Sequence, residues 1–286
     1  MSFTHYVNGT FALDAKIDAT DLGLMRGYGV FDYARLFRGK PFHLIDHLKR
    51  LLWSAEQVHL RPLQTLEDLY ELTLSLIEKN PPIDAGIRFI ITGGEAKENH
   101  LLPTTSPSLA MLFQPHVPPL KRYYEEGMRV CRADMLRILP AIKTTNYMPA
   151  IFGLKKARDS GFDDALYIND KGEILEGTTS NVFFFKNDTL ITPDIDIVKG
   201  VTRAIFLELA EEEFSIEYRP IHIDEIKDCT EAFLTSSIKG GAPLVQIENQ
   251  LIGDGLPGPR TSCLCKQYNN YTSSYINNNT LKLTNS

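Results

Sequence analysis

Residues 114–120 read QPHVPPL, with proline at three of the seven positions. Proline fixes φ and has no N–H to donate. Such a stretch is stiff and extended, and belongs to neither a helix nor a central strand. It divides the 286-residue chain into two pieces, each within the size range of a domain. The organisation read from it is a small α+β domain at 1–114, a linker at 115–120, a larger domain at 121–272 and a polar tail at 273–286.

Both pieces mix strand-like and helix-like patterns. Residues 4–7 and 10–13 flank Asn8-Gly9, the turn dipeptide of a tight hairpin. Residues 30–37 are β-branched, aromatic and apolar and stop at Arg38-Gly39-Lys40, which predicts a second hairpin. Leu48, Leu51, Leu52 and Ala55 recur at helical spacing and predict a helix over 45–58. Thr65 with Asp68 three residues on has the form of a capping box, opening a helix that carries Leu69, Leu72, Leu74 and Ile77. Strands are expected at 87–92 and 109–114, then at 128–132, 165–168, 181–185, 217–220, 232–235 and 244–247. Further helices are expected over 149–159, 202–213 and 259–271. From Gln267 the chain turns rich in Asn, Ser, Thr and Tyr and is expected to fray. Hairpins and helices in both pieces argue for two mixed α+β domains, not a doubly wound sheet.

Composition narrows the function. Hydrophobic residues at 43% and charged residues at 23% exclude wholesale disorder. A net charge of −6 with no Lys/Arg cluster gives no electrostatic reason to bind nucleic acid. No apolar run approaches the roughly 20 residues of a membrane span. The opening MSFTHYVNGT lacks a basic region followed by an apolar core, so no secretory signal is expected. Four cysteines are too few for a disulfide framework. The expectation is a cytoplasmic, reduced protein acting on small molecules or on copies of itself. There is no GxGxxG after a strand, no Walker sequence, no HExxH and no GxSxG. His43 and His47 stand four apart, but Pro41 and Phe42 place His43 at a strand end and no third ligand is evident, so no metal is expected. Cys263 and Cys265 lie closer together than a redox CxxC pair and read as partly buried thiols.

Five short blocks carry chemistry. In IKTTNYM (142–148), Lys143 follows the strand-like run Ile138, Leu139, Ala141, Ile142. Partial burial there would lower the amine's pKa toward that of a nucleophile; a solvated surface lysine is the alternative. In EILEGTTSN (173–181), Glu176 would point inward where the chain turns. A buried carboxylate needs a cationic partner, and a protonated pyridine nitrogen is one; a solvated turn glutamate is the alternative. In IVKGVTR (197–203), Gly200 permits a tight turn and the N–H groups of Val201 and Thr202 open a helix, an anion site suited to phosphate. FLTSSIKGG (233–241) ends a strand on Ser236 and Ser237, and reads equally as an ordinary strand-to-loop transition. Arg50, in HLIDHLKRL, sits mid-helix and reads equally as a surface charge.

Taken in order, and with GYGVFDYARLF (27–37), these blocks resemble the class IV, fold type IV pyridoxal-phosphate enzymes. That group includes branched-chain aminotransferases, D-amino-acid aminotransferases and aminodeoxychorismate lyases. The resemblance runs from about Tyr6 to Gly255. It implies a two-domain α+β fold, with an N-terminal α/β sandwich and a C-terminal β-barrel-like domain with flanking helices. It also implies a homodimer with shared active sites and pyridoxal 5'-phosphate as cofactor. On this resemblance Lys143 carries the cofactor as a Schiff base and shuttles a proton. Glu176 keeps the pyridine nitrogen protonated, which makes the ring an electron sink. Arg50 grips the phosphate as a bidentate fork. Val201, Thr202, Ser236 and Ser237 complete the phosphate cup. Tyr147 approaches the phenolic oxygen, four residues after the lysine where branched-chain enzymes usually have five. Asn181 supports the cofactor loop.

The substrate side departs from both familiar patterns. Arg88, in AGIRFIITGG, matches an arginine of the branched-chain enzymes, while Arg26, in LMRGYGVF, falls where they tend to have a tyrosine. The D-amino-acid enzymes use an Arg-x-His pair in the loop after that strand. Here GGEAKENHLLP supplies His100 but puts Glu98 in the arginine's place, and Phe31 replaces their tyrosine. Neither carboxylate trap is whole. The expectation is a trap made of Arg88 and of Arg26 from the neighbouring subunit, suited to dicarboxylates such as glutamate and 2-oxoglutarate. The alternative is that one arginine makes an internal salt bridge. An aminotransferase follows, for D-amino acids ahead of branched-chain L-amino acids. A pyruvate-releasing lyase on the same cofactor is the alternative, and a non-catalytic binding protein on this scaffold the third reading.

Overall fold

The computed structural model describes residues 2–96, 101–103 and 105–278. The chain packs as two compact units. One comprises Met1–Val117, Ile142–Asn146 and Thr272–Ser286, the other Pro118–Ala141 and Tyr147–Tyr271. Consecutive blocks were expected from the sequence; the first unit also takes in two stretches from farther along the chain. Ile142 is part of its apolar core and Thr144 bridges to Val30.

The first unit holds a six-stranded sheet of β1 (His5–Val7), β2 (Thr10–Ala12), β3 (Gly29–Phe37), β4 (Lys40–Pro41), β5 (Ala85–Thr92) and β6 (Ser108–Pro115). Its order is β2-β1-β6-β5-β3-β4, antiparallel throughout. Asn8 (φ 44°) and Gly9 (φ 92°) take the left-handed conformations that a two-residue hairpin demands. Its helices are α1 (Leu22–Arg26), α2 (Leu44–Gln57) and α3 (Leu66–Glu78). The capping box of α3 is formed: Asp68 N–H donates to Thr65 Oγ1 at 3.1 Å, and Thr65 N–H to Asp68 Oδ2 at 2.8 Å. Strand alternation puts Val30, Ala34 and Leu36 of β3, Ile87, Phe89 and Ile91 of β5, and Leu109, Met111 and Phe113 of β6 in one core with Leu48 and Leu51 of α2 and Leu69 and Leu76 of α3. β6 runs into the proline segment, with Pro115 opposite Ala85 at the strand's last position, where a missing N–H breaks no ladder.

The second unit contains α4 (Arg122–Glu125), α5 (Met148–Asp159), α6 (Val201–Ala210) and most of α7 (Pro259–Asn278). Its strands are β7 (Met128–Arg132), β8 (Asp164–Ile168), β9 (Glu173–Gly177), β10 (Asn181–Lys186), β11 (Thr189–Thr192), β12 (Ser215–Tyr218), β13 (Ile221–His222), β14 (Glu231–Ser236), β15 (Gly240–Ile247) and β16 (Gln250–Leu251). They form one ten-stranded sheet in the order β12-β11-β10-β14-β15-β7-β8-β9-β13, with β16 on β15. The sheet curls so that one face buries itself: Val130, Leu166, Ile174, Val182, Phe184, Leu234 and Leu244 share a core. On the other face Phe183 stacks on Phe233 at 4.7 Å, and Phe206 of α6 stacks on Tyr268 of α7 at 4.8 Å.

Between Gln267 and Asn278 the expected fraying does not occur. α7 continues to Asn278, because Tyr268, Thr272 and Ile276 recur every fourth residue as a buried stripe. Near its end, Lys40 Nζ donates to the Ile276 carbonyl at 2.9 Å and His43 stacks on Tyr275 at 4.5 Å. His43 itself is the N-cap of α2, in a left-handed conformation, and not a strand end. Among the described residues no helix is long and apolar enough to cross a membrane. The four cysteines are free thiols, and burial pushes that of Cys265 up to about 12.

Candidate active site

Lys143 does not end a strand. Residues 138–142 form bends and a turn, with Ile138 81% exposed. A short antiparallel bridge holds the lysine instead: Phe31 N–H donates to the Lys143 carbonyl and Thr145 N–H to that of Gly29, both at 2.9 Å. Lys143 is half-buried, its Nζ 4.6 Å from the centre of the Phe31 ring. Arg88 reaches the same ring, its guanidinium carbon 5.4 Å from the centre and 5.8 Å from that of Tyr33. Its Nε donates to Gln114 Oε1 at 3.3 Å. By strand alternation Phe31, Tyr33, Arg88 and Gln114 project from the face opposite α2 and α3. The structure thus gathers Phe31, Arg88 and Lys143. Arg26 is not among them: it is the exposed last residue of α1, donating to the Met25 carbonyl at 3.0 Å. His100 and Glu98 lie outside the described residues.

Arg50 is not a surface charge. Its side chain is 14% exposed and paired with Asp32, which is fully buried on the helix-facing side of β3. Arg50 Nε donates to Asp32 Oδ2 at 2.8 Å and Nη2 to Oδ1 at 2.9 Å, while His47 Nδ1 stands 2.7 Å from Oδ1. Burial works to raise the Asp32 carboxyl, but the charges of Arg50 and His47 and their hydrogen bonds outweigh it and hold it far below the usual carboxylate range. Burial lowers His47, with the charge and hydrogen bond of Asp32 opposing.

In the second unit Glu176 lies within β9, opposite Tyr167 of β8, one residue before the strand ends. Arg137 pairs with it and also with the Pro140 carbonyl. Asn181 Nδ2 donates to Glu176 Oε2 at 3.2 Å and to the Val198 carbonyl at 2.8 Å, and Val198 N–H donates to Oε2 at 3.2 Å. Asn181 therefore ties the carboxylate to the loop before α6. The Tyr167 hydroxyl is buried without a hydrogen-bond partner among the described residues. Burial pushes its pKa up to about 12, with the Arg137 charge opposing. Beside these groups opens a cavity of about 390 Å³ walled by Arg137, Pro140, Tyr167, Leu175 and Glu176. Tyr147 directly precedes α5, half-buried, and its phenol partly offsets the lowering of Arg137 by burial.

Among the described residues no side chain caps the N-terminus of α6. The N–H groups of Val201 and Thr202 have no intrahelical acceptor there, which makes them anion donors. Gly200 precedes them with φ −70°, so the expected turn freedom is not why glycine is present. Space is the reason: a Cβ would sit 2.2 Å from Asn181 Oδ1. Thr202 is buried. Ser236 and Ser237 are half-buried at the β14–β15 turn, and Ser236 Oγ accepts from Lys239 N–H at 3.1 Å.

Sequence reasoning passed over Asp32 and Arg137, and weighed His47 only as a metal ligand. Asp32 had a signal, as the one carboxylate in the otherwise apolar alternate row Val30, Ala34, Leu36. Arg137, in MLRILP, had none.

Comparison with known proteins gives the family. The amino-transferase class IV family model matches residues 29–247. The chain belongs to the class IV aminotransferase family, enzymes that act on amino acids and 2-oxo acids. It is 31% identical over 275 residues to a putative branched-chain-amino-acid aminotransferase of Methanocaldococcus jannaschii, covering 92% of this chain and 94% of that one. It is 29% identical over 280 residues to the D-alanine aminotransferase of Staphylococcus epidermidis, covering 94% and 98%. In fold it matches the branched-chain amino acid aminotransferase of Escherichia coli with a TM-score of 0.88 at 23% identity, 95% of each chain covered. The branched-chain amino acid aminotransferase of T.th., solved with pyridoxamine 5'-phosphate, matches with a TM-score of 0.86 at 21% identity, covering 96% and 95%. The fold is that of the fold type IV enzymes.

Proposed function

We propose that this enzyme uses pyridoxal 5'-phosphate to move an amino group between a D-amino acid and a 2-oxo acid such as 2-oxoglutarate. The observation that carries the reading is the Phe31 ring flanked by the Lys143 amine at 4.6 Å and the Arg88 guanidinium at 5.4 Å. It sets a nucleophile near a cation that can take a carboxylate. The donor set also suits the cofactor. An uncapped helix end, a buried threonine and a half-buried serine pair suit a phosphate, and a buried carboxylate suits a protonated ring nitrogen.

In this reading Arg50, the N–H groups of Val201 and Thr202, and the hydroxyls of Thr202, Ser236 and Ser237 bind the phosphate. Glu176, oriented by Asn181, holds a proton at the ring nitrogen. Tyr147 donates toward the phenolic oxygen. Lys143 attaches the cofactor and then moves a proton at the substrate's Cα. The bound cofactor supplies an electron sink for that carbon. Arg88 orients the substrate carboxylate, with Arg26 of the neighbouring subunit and His100 as further substrate ligands, in a homodimeric enzyme in the cytoplasm. A second reading, a branched-chain L-amino acid as donor, is favoured by Phe31, which is aromatic without a hydroxyl. Exchange assays with D-alanine, L-leucine and D-glutamate against 2-oxoglutarate test the choice. Turnover with L-leucine alone would overturn the D-amino-acid reading. Pyruvate release from aminodeoxychorismate without an amino acceptor would favour the lyase alternative.

A further inference from the structure

Asp32 has no role in the scheme above, yet it is the most completely enclosed carboxylate touching a proposed ligand residue. It stands in the core-facing row of β3 at 0% exposure. An unpaired charge there would be prohibitively desolvated. Four donors meet it: Arg50 Nε and Nη2, His47 Nδ1 and the Tyr33 N–H, at 2.7–2.9 Å. His47 and Arg50 lie one turn apart on α2, so both reach the same carboxylate. A two-point fork fixes the plane of a guanidinium that would otherwise sample many rotamers. His47 adds a third side-chain hydrogen bond to the same carboxylate.

We infer that Asp32 and His47 are positioning residues, which lock the plane of Arg50 for a phosphate. This rests on the reading of Arg50 as a phosphate ligand. The inference opposes simple charge counting. Asp32 cancels the charge of Arg50, so if net charge governed anion binding, Asp32→Asn would tighten it. If orientation governs, the same substitution loosens it.

The test compares two probes on the full-length cofactor-free protein, pyridoxal 5'-phosphate and pyridoxal, each followed by absorbance. For Asp32→Asn, affinity for pyridoxal 5'-phosphate is expected to fall about 10- to 100-fold, the loss typical of a charge-assisted hydrogen bond to a binding group. Affinity for pyridoxal is expected to stay within about twofold of the unsubstituted protein. His47→Gln, which retains a donor, should lose about threefold or more on the phosphate probe alone, and it decides the matter if Asp32→Asn does not fold. A merely structural defect would weaken both probes together and would overturn the inference, as would tighter phosphate binding. Arg50→Ala separates the layers. If it leaves the ratio of the two affinities unchanged, the phosphate reading of Arg50 itself is wrong. If it collapses the ratio while Asp32→Asn and His47→Gln preserve it, only the positioning role falls.

Discussion

Each unit buries a carboxylate against an arginine, and the two pairs differ in what surrounds them. Asp32 in the first unit is sealed, with its oxygens taken by side-chain and backbone donors and apolar neighbours above and below in its row. Glu176 in the second forms the wall of a cavity of about 390 Å³, beside a buried tyrosine hydroxyl with no partner among the described residues. A charge closed off from open space serves the fold, or a residue it holds. A charge that borders open space and an unsatisfied donor is arranged for a ligand. Similar ion pairs thus separate into scaffold and site by their surroundings, not by their chemistry.

That contrast breaks most visibly under substitution. Asp32→Ala leaves Arg50 without its buried counter-ion, and is expected to cost about 3–5 kcal/mol in denaturant unfolding. Glu176→Gln should cost less than about 2 kcal/mol, since the amide keeps contacts with Asn181 and Val198 and cavity water can solvate Arg137. Its effect should fall on amino exchange, with a loss of about 100-fold or more, because a neutral amide cannot stabilise a protonated ring nitrogen. Equal stability losses for the two variants would erase the distinction.

Gly200→Ala sharpens it within the second unit. The added Cβ must displace Asn181 Oδ1 from 2.2 Å, at a cost of about 1–3 kcal/mol. It should also weaken cofactor retention, since Asn181 aligns Glu176. Unchanged cofactor affinity would detach Asn181 from the site.

A gentler probe is pH. The Asp32 carboxyl is held low in the folded state, so its contribution is complete above the ordinary value of 3.8 and is lost as pH falls through the folded value. His47 is also held low, because folding excludes its proton, so stability should already decline as pH drops below its ordinary 6.5. His47→Gln is expected to flatten the slope of unfolding free energy between about pH 6.5 and 5. A slope unchanged by that substitution would mean that His47 takes up its proton without opposition in the folded protein. The smallest stability effect is expected at exposed Arg26, where Arg26→Ala should stay within about 0.5 kcal/mol. With Arg88→Ala, it should raise the Michaelis constants for dicarboxylates; if both leave every constant unchanged, the two-arginine trap is wrong.

Features governed by a few neighbouring residues were legible in the sequence. The Asn8-Gly9 hairpin and the Thr65–Asp68 capping box need only local chemistry, and both formed at the expected positions. The family resemblance was legible too, because its blocks are ordered and short. What escaped depended on distant partners. Residues 138–142 looked like a strand by composition, but no partner strand among the described residues meets them and they remain irregular. α7 looked too polar to persist, and a narrow buried stripe sustains it to Asn278. Arg137 becomes conspicuous only when β9 brings Glu176 to it.

The central claim is that one amine, that of Lys143, carries the cofactor. Reduction of the reconstituted enzyme with borohydride, followed by peptide mapping, tests it most directly. The account predicts a stable pyridoxyl label on the peptide containing Lys143 and its loss in Lys143→Ala. A label on any other lysine, or none after reconstitution, would contradict it.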